Sequence, residues 1–354
     1  MFNCNQVAFL KDIHLMFGFR NLIRKPGWEN DIILKLETVK NLMLERNCFI
    51  LLLSGDVLDR SKSKEWSFKL YLKVLGILQH IFIDNGIHIY SIQGNHDMFD
   101  GNETIEDCVF GKLVKDGVIK YITEQPLSLT VSDSKDGSSK SSKEIIIYGV
   151  DYTNVKENIL TSMQKINDNN HNAIKCIMTH TNITPNETQV SDFTYKFLSE
   201  TYPNIDIHFC GHYHLGFEPD KVKNTTFINP WNMTRVIRDY NTKMELHTPE
   251  VTFVDFSKFT KDALPIDFVE VHTLPCKPFS ESFRDEVISL LEETDNGFKF
   301  FEEGVFDLDE LLDKQELTDA EIIAALIKQQ MENKSDQEKK EILTTALKYL
   351  GEEN

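Results

Sequence analysis

The 354-residue sequence is poor in several things that would point to particular protein classes. Its six cysteines, Cys4, Cys48, Cys108, Cys176, Cys210 and Cys276, include no CxxC pair. A zinc ribbon or dense disulfide framework is therefore excluded, and free thiols buried in a reducing compartment are expected. Long apolar stretches are also missing. Runs such as Phe49–Leu53 are far shorter than the roughly 20 residues that cross a bilayer, and the N-terminus lacks a basic segment leading into an apolar one. A soluble cytoplasmic protein with no membrane partner is the expectation. There is no excess of positive charge: 38 basic residues face 56 acidic ones, a net of −18. That argues against a protein that coats nucleic acid by charge alone. The deficit is concentrated at one end, however. Residues 281–354 hold 21 acidic and 8 basic residues, a net of −13, which leaves −5 for the rest and room for a local basic groove. No repeat of solenoid period occurs.

What is present reads as a globular α/β protein, with 41% apolar and 27% charged residues. Short apolar runs recur, each ending in a polar cluster. Val7–Leu10 precedes Lys-Asp-Ile-His, Phe49–Leu53 precedes Ser-Gly-Asp, and Ile87–Ile92 precedes Gln-Gly-Asn-His-Asp. Ile145–Val150 precedes Asp151, Ile174–Met178 precedes Thr-His, and Ile205–Cys210 precedes Gly-His-Tyr-His. Runs of this length suit strands buried on both faces. Ile32, Ile33, Leu36, Val39, Leu42 and Met43 follow a helical period, and Trp66, Leu70, Val74, Ile77, Leu78 and Ile81 do so less cleanly. Strands alternating with helices build an α/β core, whose sites form at the carboxyl ends of strands. The clusters are expected to converge on one edge of one sheet.

The boundaries that follow are a catalytic domain at 1–256, a small accessory domain at 257–306 and a C-terminal helical hairpin at 307–354. Residues 130–144, rich in Ser, Lys and Asp, read as a surface loop. A strand is expected at Asp267–Leu274 and a short helix at Ser282–Leu291. In the tail, Thr318-Asp-Ala-Glu321 and Ser335-Asp-Gln-Glu338 are capping boxes, each opening a helix with one apolar stripe. That hairpin either docks on its own domain or binds a partner.

The strand-end clusters supply Asp12, His14, Asp56, Asn95, His96, His180, His212 and His214. Singly, each is an ordinary cap or a satisfied polar group. Together they offer carboxylate, amide and imidazole without thiolate, a donor set for Mn²⁺, Fe²⁺ or Zn²⁺ in a catalytic rather than structural site. Two cations about 3.5–4 Å apart need a carboxylate between them, and such a pair activates water for attack on phosphorus. Phosphoester hydrolysis is the natural reaction class. His208, inside a strand, reads as core, and Asp151 as a turn residue.

These residues resemble a known family. Asp12-Ile-His14, Gly55-Asp56-Val-Leu-Asp59-Arg60, Gly94-Asn95-His96-Asp97, Thr179-His180 and Gly211-His212-Tyr-His214 resemble, in order, the five motifs of the calcineurin-like metallophosphoesterases. The resemblance implies a metallophosphoesterase β-sandwich flanked by helices. It implies Asp12, His14 and His214 at a first metal with a bridging Asp56, and Asn95, His180 and His212 at a second. His96 would be the catalytic acid or a phosphate-contacting histidine, oriented by Asp97, and Asp59 would hold a ligand histidine from behind.

Within that superfamily the chain is most similar to the SbcD-type DNA-repair nucleases, including short phage-encoded versions. The similarity rests on Gly-Asn-His-Asp, on Ile228-Asn-Pro-Trp-Asn-Met-Thr-Arg235 after Gly-His-x-His, on an accessory segment and on the terminal hairpin. It implies a Mn²⁺-dependent DNA exo- and endonuclease in a bacterial or phage-infected cell, acting at DNA ends as a homodimer with a Rad50/SbcC-like coiled-coil ATPase. Asp59-Arg60 also occurs in phosphatases, so a cyclic-nucleotide or small-molecule phosphodiesterase or a protein phosphatase is the alternative. Lys11, where a small or hydroxyl residue is commoner, and Trp231, in place of glycine, depart from the family pattern. The loop after His14 carries Arg20, Arg24 and Lys25 among Phe17, Phe19 and Trp28. Its cations suit substrate phosphates, and its aromatics either stack on an unpaired base or anchor the loop.

Overall fold

The computed structural model describes residues 2–3, 5–15, 25, 27–59, 64–98, 105, 108–132, 142–169, 172–234 and 247–282. Met1–Ser282 forms one compact unit. The expected hairpin at 307–354, Arg20, Arg24 and Arg60 lie outside the described residues.

In chain order the strands are β1 (Phe2–Asn3), β2 (Gln6–Leu10), β3 (Ile50–Leu53), β4 (His88–Ser91), β5 (Ile119–Tyr121), β6 (Leu127–Ser132), β7 (Ser142–Val150) and β8 (Ile174–Thr181). They continue with β9 (Ile183–Thr184), β10 (Phe193–Thr194), β11 (Ile207–His212), β12 (Phe217–Val222), β13 (Thr225–Asn229), β14 (Glu250–Asp255) and β15 (Val269–Thr273). The helices that bear on the site are α1 (Trp28–Glu45), α2 (Lys64–Ile81), α3 (Val109–Lys115), α4 (Lys156–Asn167) and α5 (Tyr195–Thr201). One seven-stranded sheet runs β1-β6-β7-β8-β11-β13-β12, and a six-stranded sheet runs β15-β14-β2-β3-β4-β5.

The alternation of side chains along each strand produces the layers. In β2, Val7 and Phe9 face one way while Ala8 and Leu10 face the other; in β3, Ile50 and Leu52 oppose Leu51 and Leu53. The first set packs against Ile145, Ile147, Cys176, Met178, Ile207 and Phe209 of the seven-stranded sheet. Phe9 and Phe209 meet there with centroids 5.0 Å apart. The second set packs on Ile32, Leu36, Val39 and Met43 of α1 and on Val74 and Leu78 of α2. Ile177, Cys210 and Phe227, on the outer face of the seven-stranded sheet, pack on Ile159 and Met163 of α4 and on Tyr195 and Leu198 of α5. The result is a mixed α/β sandwich of two sheets between helices. It explains why the runs carry no alternation: both faces of each strand are buried.

One expectation is corrected. The polar clusters belong to two sheets, with Asp12, His14, Asp56, Asn95 and His96 following β2, β3 and β4, while His180 and His212 end β8 and β11. Doubly buried runs read alike whichever sheet takes them. In the segment expected to be an accessory domain, β15 pairs antiparallel with β14, and Phe259 and Phe268 join the inter-sheet core. A helical turn at Phe279–Ser282 precedes the expected helix start, and the remainder of that helix lies outside the described residues.

Candidate metal centre

The carboxyl ends of β2, β3, β4, β8 and β11 meet at one edge of the sandwich. The first strands are parallel, so their turns lie side by side: His14 N–H donates to Asp56 O (2.9 Å) and Leu15 N–H to Val57 O (2.9 Å). In the other sheet, β8 and β11 pair in parallel with Gly211 opposite His180. Asp12, His14, Asp56 and His212 all take positive φ, at 45°, 42°, 45° and 74°. Such backbone costs about 1–3 kcal/mol per residue and gathers at functional sites.

Asp56 is the centre of the cluster. Its Oδ2 lies 3.1 Å from His180 Nε2, 3.7 Å from His14 Nε2 and 4.0 Å from His96 Nε2. Its Oδ1 accepts from His96 N–H at 2.9 Å. His14 and His214 meet through their Nε2 atoms at 3.2 Å, and His212 Nδ1 lies 3.1 Å from His180 Nε2. Asn95 Oδ1 sits 3.0 Å from His180 Nε2. His180 Nδ1 is 2.7 Å from Ser54 O, which turns Nε2 toward the cluster. Three donor groups result, of which His14–Asp56–His214 and Asp56–His180–His212 share Asp56, and His14–Asp59–His96 adjoins them. Asp12 joins them by accepting His212 N–H at 3.2 Å and lying 3.6 Å from His180 Nδ1.

Glycine makes this approach possible. A Cβ on Gly94 would stand 2.1 Å from Asp56 Oδ1 and 2.3 Å from Asp56 N, and one on Gly55 would meet Gly94 N at 2.8 Å. Gly55 itself has φ 90°, where side chains are strained.

Two further acids flank the cluster, Asp59 and Asp97. Asp97, expected to orient His96, aims its carboxylate at backbone: it accepts from Leu58 N–H (2.9 Å), Gly94 N–H (3.0 Å) and Val57 N–H (3.3 Å). It therefore ties the Asp56 turn to the Gly94 turn. The acid beside the His96 ring is Asp59, whose Oδ1 lies 3.3 Å from His96 Nδ1 and 3.8 Å from His14 Nδ1.

Lys11 is fully buried behind the centre. Its ammonium donates to Tyr213 O (2.6 Å), Leu215 O (3.1 Å) and Asn229 Oδ1 (2.5 Å), so it grips the loop that carries His212 and His214. Trp231, the other departure, packs over Gly216 at the end of that loop; a Cβ on Gly216 would reach Trp231 Cδ1 at 2.4 Å. Its indole crosses His247 edge-on at 5.4 Å. Neither role was visible in sequence, although Lys in a buried run was itself a signal. Tyr152 was also missed: its ring lies 5.3 Å from His212 and 6.0 Å from His180. Asp151, expected as a turn residue, is the acceptor for Gln93 N–H (2.8 Å), Thr123 Oγ1 (2.8 Å) and the Tyr121 hydroxyl. His208 is buried as expected, 3.0 Å from Thr179 Oγ1, and burial lowers its pKa to about 3. Of the expected substrate cations only Lys25 is described, and its N–H donates to Ser282 O at 3.1 Å.

Electrostatics polarise the cluster. Burial pushes Asp56 upward, but the neighbouring His180 and His96 outweigh it and hold the carboxyl well below its usual range. Burial pulls His180 down, yet Asp56 and Asp12 raise it to about 9. Asp12 is lifted by burial to about 6 although His180 opposes the shift. His14 is depressed well below its ordinary value, mainly by burial. A buried carboxylate–imidazolium arrangement of this kind is a site prepared for cations, since metal binding takes the place of these protons. The donor set fits: oxygen and imidazole without thiolate, Asp56 shared by two triads, and Asp12 Oδ2 buried with no hydrogen-bond partner among the described residues.

The sequence profile described as calcineurin-like phosphoesterase matches residues 6–216, which span every ligand candidate from Asp12 to His214. The chain belongs to the calcineurin-like phosphoesterase family. Members of this metallophosphoesterase family bind two divalent metal ions, and the two triads around Asp56 are this phosphoesterase's candidates for holding them. No curated protein sequence matches it. Among solved structures it is similar to TT1561 of Thermus thermophilus, at 11% identity over 77% of this chain and 100% of that one, TM-score 0.43. It is similar to the calcineurin-like phosphoesterase YfkN from Bacillus subtilis, at 10% identity over 82% and 96%, TM-score 0.45. It is also similar to GAP50, the anchor in the inner membrane complex of Plasmodium, at 13% identity over 82% and 94%, TM-score 0.42. Among the described residues of this phosphoesterase, no helix is long and apolar enough to cross a membrane.

Proposed function

We propose that this phosphoesterase is a Mn²⁺-dependent DNA nuclease that hydrolyses phosphodiesters at DNA ends together with a coiled-coil ATPase of the SbcC type. The observation that carries the hydrolytic part is Asp56, whose buried carboxylate lies within 4.0 Å of His14, His96 and His180 and serves both triads. Support for DNA comes from the Gly94-Asn95-His96-Asp97 motif and the Asn229-Pro-Trp-Asn segment, through their similarity to nucleases of the SbcD type.

Asp12, His14, His214 and Asp56 would hold one cation, and Asp56, Asn95, His180 and His212 the other. A pair of cations bound there supplies Lewis acidity, lowering the pKa of water and stabilising charge on the phosphoryl oxygens. The remaining work falls to the chain's own groups. Water adds to phosphorus, giving up one proton to solvent, as the bond from phosphorus to the leaving oxygen breaks. His96 reaches the edge of the cluster with Asp59 behind its Nδ1, so the ring is held in the orientation that presents Nε2 to the leaving oxygen. The proton on Nε2 passes to that oxygen, and solvent restores it.

The test is Mn²⁺-dependent digestion of end-labelled linear DNA by the full chain, beside His96→Ala and beside a bis-phosphodiester reporter. Loss of label that vanishes in His96→Ala supports the nuclease. Turnover of the reporter with DNA left intact, alone and with the ATPase added, overturns the DNA assignment and leaves a small-substrate phosphodiesterase. For the partner, deleting 307–354 is expected to spare reporter hydrolysis and to abolish co-purification with the ATPase; co-purification by the truncated chain refutes a tail-borne interaction.

A further inference from the structure

Among the described residues, one aromatic ring lies against the histidines of the centre. Tyr152 leaves the end of β7 half-exposed, its ring tilted 52° to His212 at 5.3 Å and 75° to His180 at 6.0 Å. Both histidines belong to the triad that Asp56 completes. The residue is held firmly. Its N–H donates to Gln93 O at 3.0 Å, one residue before the Gly94 turn. The preceding Asp151 carboxylate returns the link by accepting Gln93 N–H at 2.8 Å, and is itself braced by Thr123 and Tyr121. The Tyr152 hydroxyl donates to Asn154 Oδ1. The backbone thus places a planar ring at the rim of the centre, and ordering it on binding has little entropic cost.

The hydroxyl is turned to Asn154, and the face of such a ring offers a bare phosphate no hydrogen-bond donor. It favours a substrate whose phosphate carries a flat aromatic group, and stacking of a nucleobase on an aromatic side chain is worth about a tenfold effect or more. We propose that Tyr152 is a substrate-contacting residue that stacks on the nucleobase of a nucleoside phosphodiester whose phosphate lies at this centre. The inference rests on the phosphodiesterase reading above and names its substrate class.

The experiment compares two esters that release the same p-nitrophenolate: thymidine 5′-(p-nitrophenyl phosphate) and methyl p-nitrophenyl phosphate. Only the retained group differs. With Mn²⁺ and the full chain, Tyr152→Leu is expected to raise KM for the thymidine ester about tenfold or more, and to change kcat/KM for the methyl ester by less than about twofold. Tyr152→Phe should keep both values within about twofold, and titration calorimetry should show Mn²⁺ binding unchanged in either variant. If Tyr152→Leu does not fold, Tyr152→Trp carries the test, with a lower KM expected for the thymidine ester alone. Equal loss on both esters, or weakened Mn²⁺ binding, overturns the proposal and makes the ring a wall of the metal centre. No change on either ester also overturns it. A wild-type chain that turns over neither ester overturns the phosphodiesterase reading itself, a result distinct from turnover without discrimination.

Discussion

Replacing Lys11 by methionine removes one ammonium from the interior and leaves the volume of the side chain nearly unchanged. No cavity term therefore enters. In the native protein that ammonium donates three hydrogen bonds, to Tyr213 O, Leu215 O and Asn229 Oδ1, and the side chain has 0% exposure. Charge-assisted hydrogen bonds are worth about 1.5–3 kcal/mol each, which gives an upper bound of roughly 5–9 kcal/mol for three. Burying the ammonium costs several kcal/mol in the opposite direction, and methionine is spared that penalty. What remains is the cost of three acceptors left without their donor, so a net destabilisation of about 2–5 kcal/mol is expected. The same loop places His212 and His214, and loss of a group that orients metal ligands weakens metal affinity about 10–100-fold. Urea unfolding of the chelated protein measures the first quantity and Mn²⁺ titration calorimetry the second. Destabilisation below about 1 kcal/mol together with unchanged Mn²⁺ affinity would refute the view that Lys11 holds this loop.

Gly94→Ala places a methyl 2.1 Å from Asp56 Oδ1 and 2.3 Å from Asp56 N, so the two turns must part. A displacement near 1 Å there is expected to lower phosphodiester hydrolysis by about 100-fold or more while the sandwich still folds. Wild-type rates from a folded Gly94→Ala protein, by circular dichroism and reporter turnover, would show that the close approach is dispensable. The third prediction concerns pH. His180 is raised to about 9 without metal and must be neutral to bind a cation, so below that value the one ion that His180 would hold displaces its proton. Apparent Mn²⁺ affinity should therefore rise with pH, by up to about tenfold per unit, and level off near pH 9. Calorimetry in buffers of different ionisation enthalpy would detect the released proton, and an affinity that stays flat from about pH 6 to about pH 9 would contradict the His180–Asp56 pairing.

The helix over α1 and the strands β2, β3, β4, β7, β8 and β11 were legible because each follows one rule: a continuous run for a strand buried on both faces, a 3.6-residue period for a one-sided helix. The grouping of the polar clusters was legible for a related reason, since chain direction fixes which end of a parallel strand each turn occupies. Partition between two sheets was not, because Ile174–Met178 and Phe49–Leu53 carry the same pattern in different sheets. The approach of Asp59 to His96 as well as to His14 was hidden too. Which acid faces His96 depends on turns with positive φ at Asp56 and close contact at Gly94, and neither leaves a periodic trace. Lys11 shows the converse. A lysine within a buried run broke the local pattern, and the structure supplies the reason in carbonyls that arrive from about 200 residues further along.

The position of β2 has a consequence for biosynthesis. This strand lies inside its sheet, with β3 on one side and β14 on the other, paired as Phe9 with Leu52 and Phe9 with Thr252. One neighbour is made early and the other only when residue 255 has been translated. At about 5–20 residues per second, a ribosome needs roughly 10–50 s to cover that interval. Throughout it the nascent chain holds an open, apolar strand edge, and for most of it Asp12 has no His212 to meet. Chains released before β14 leave one edge of β2 unpaired, an edge that can template pairing with another chain.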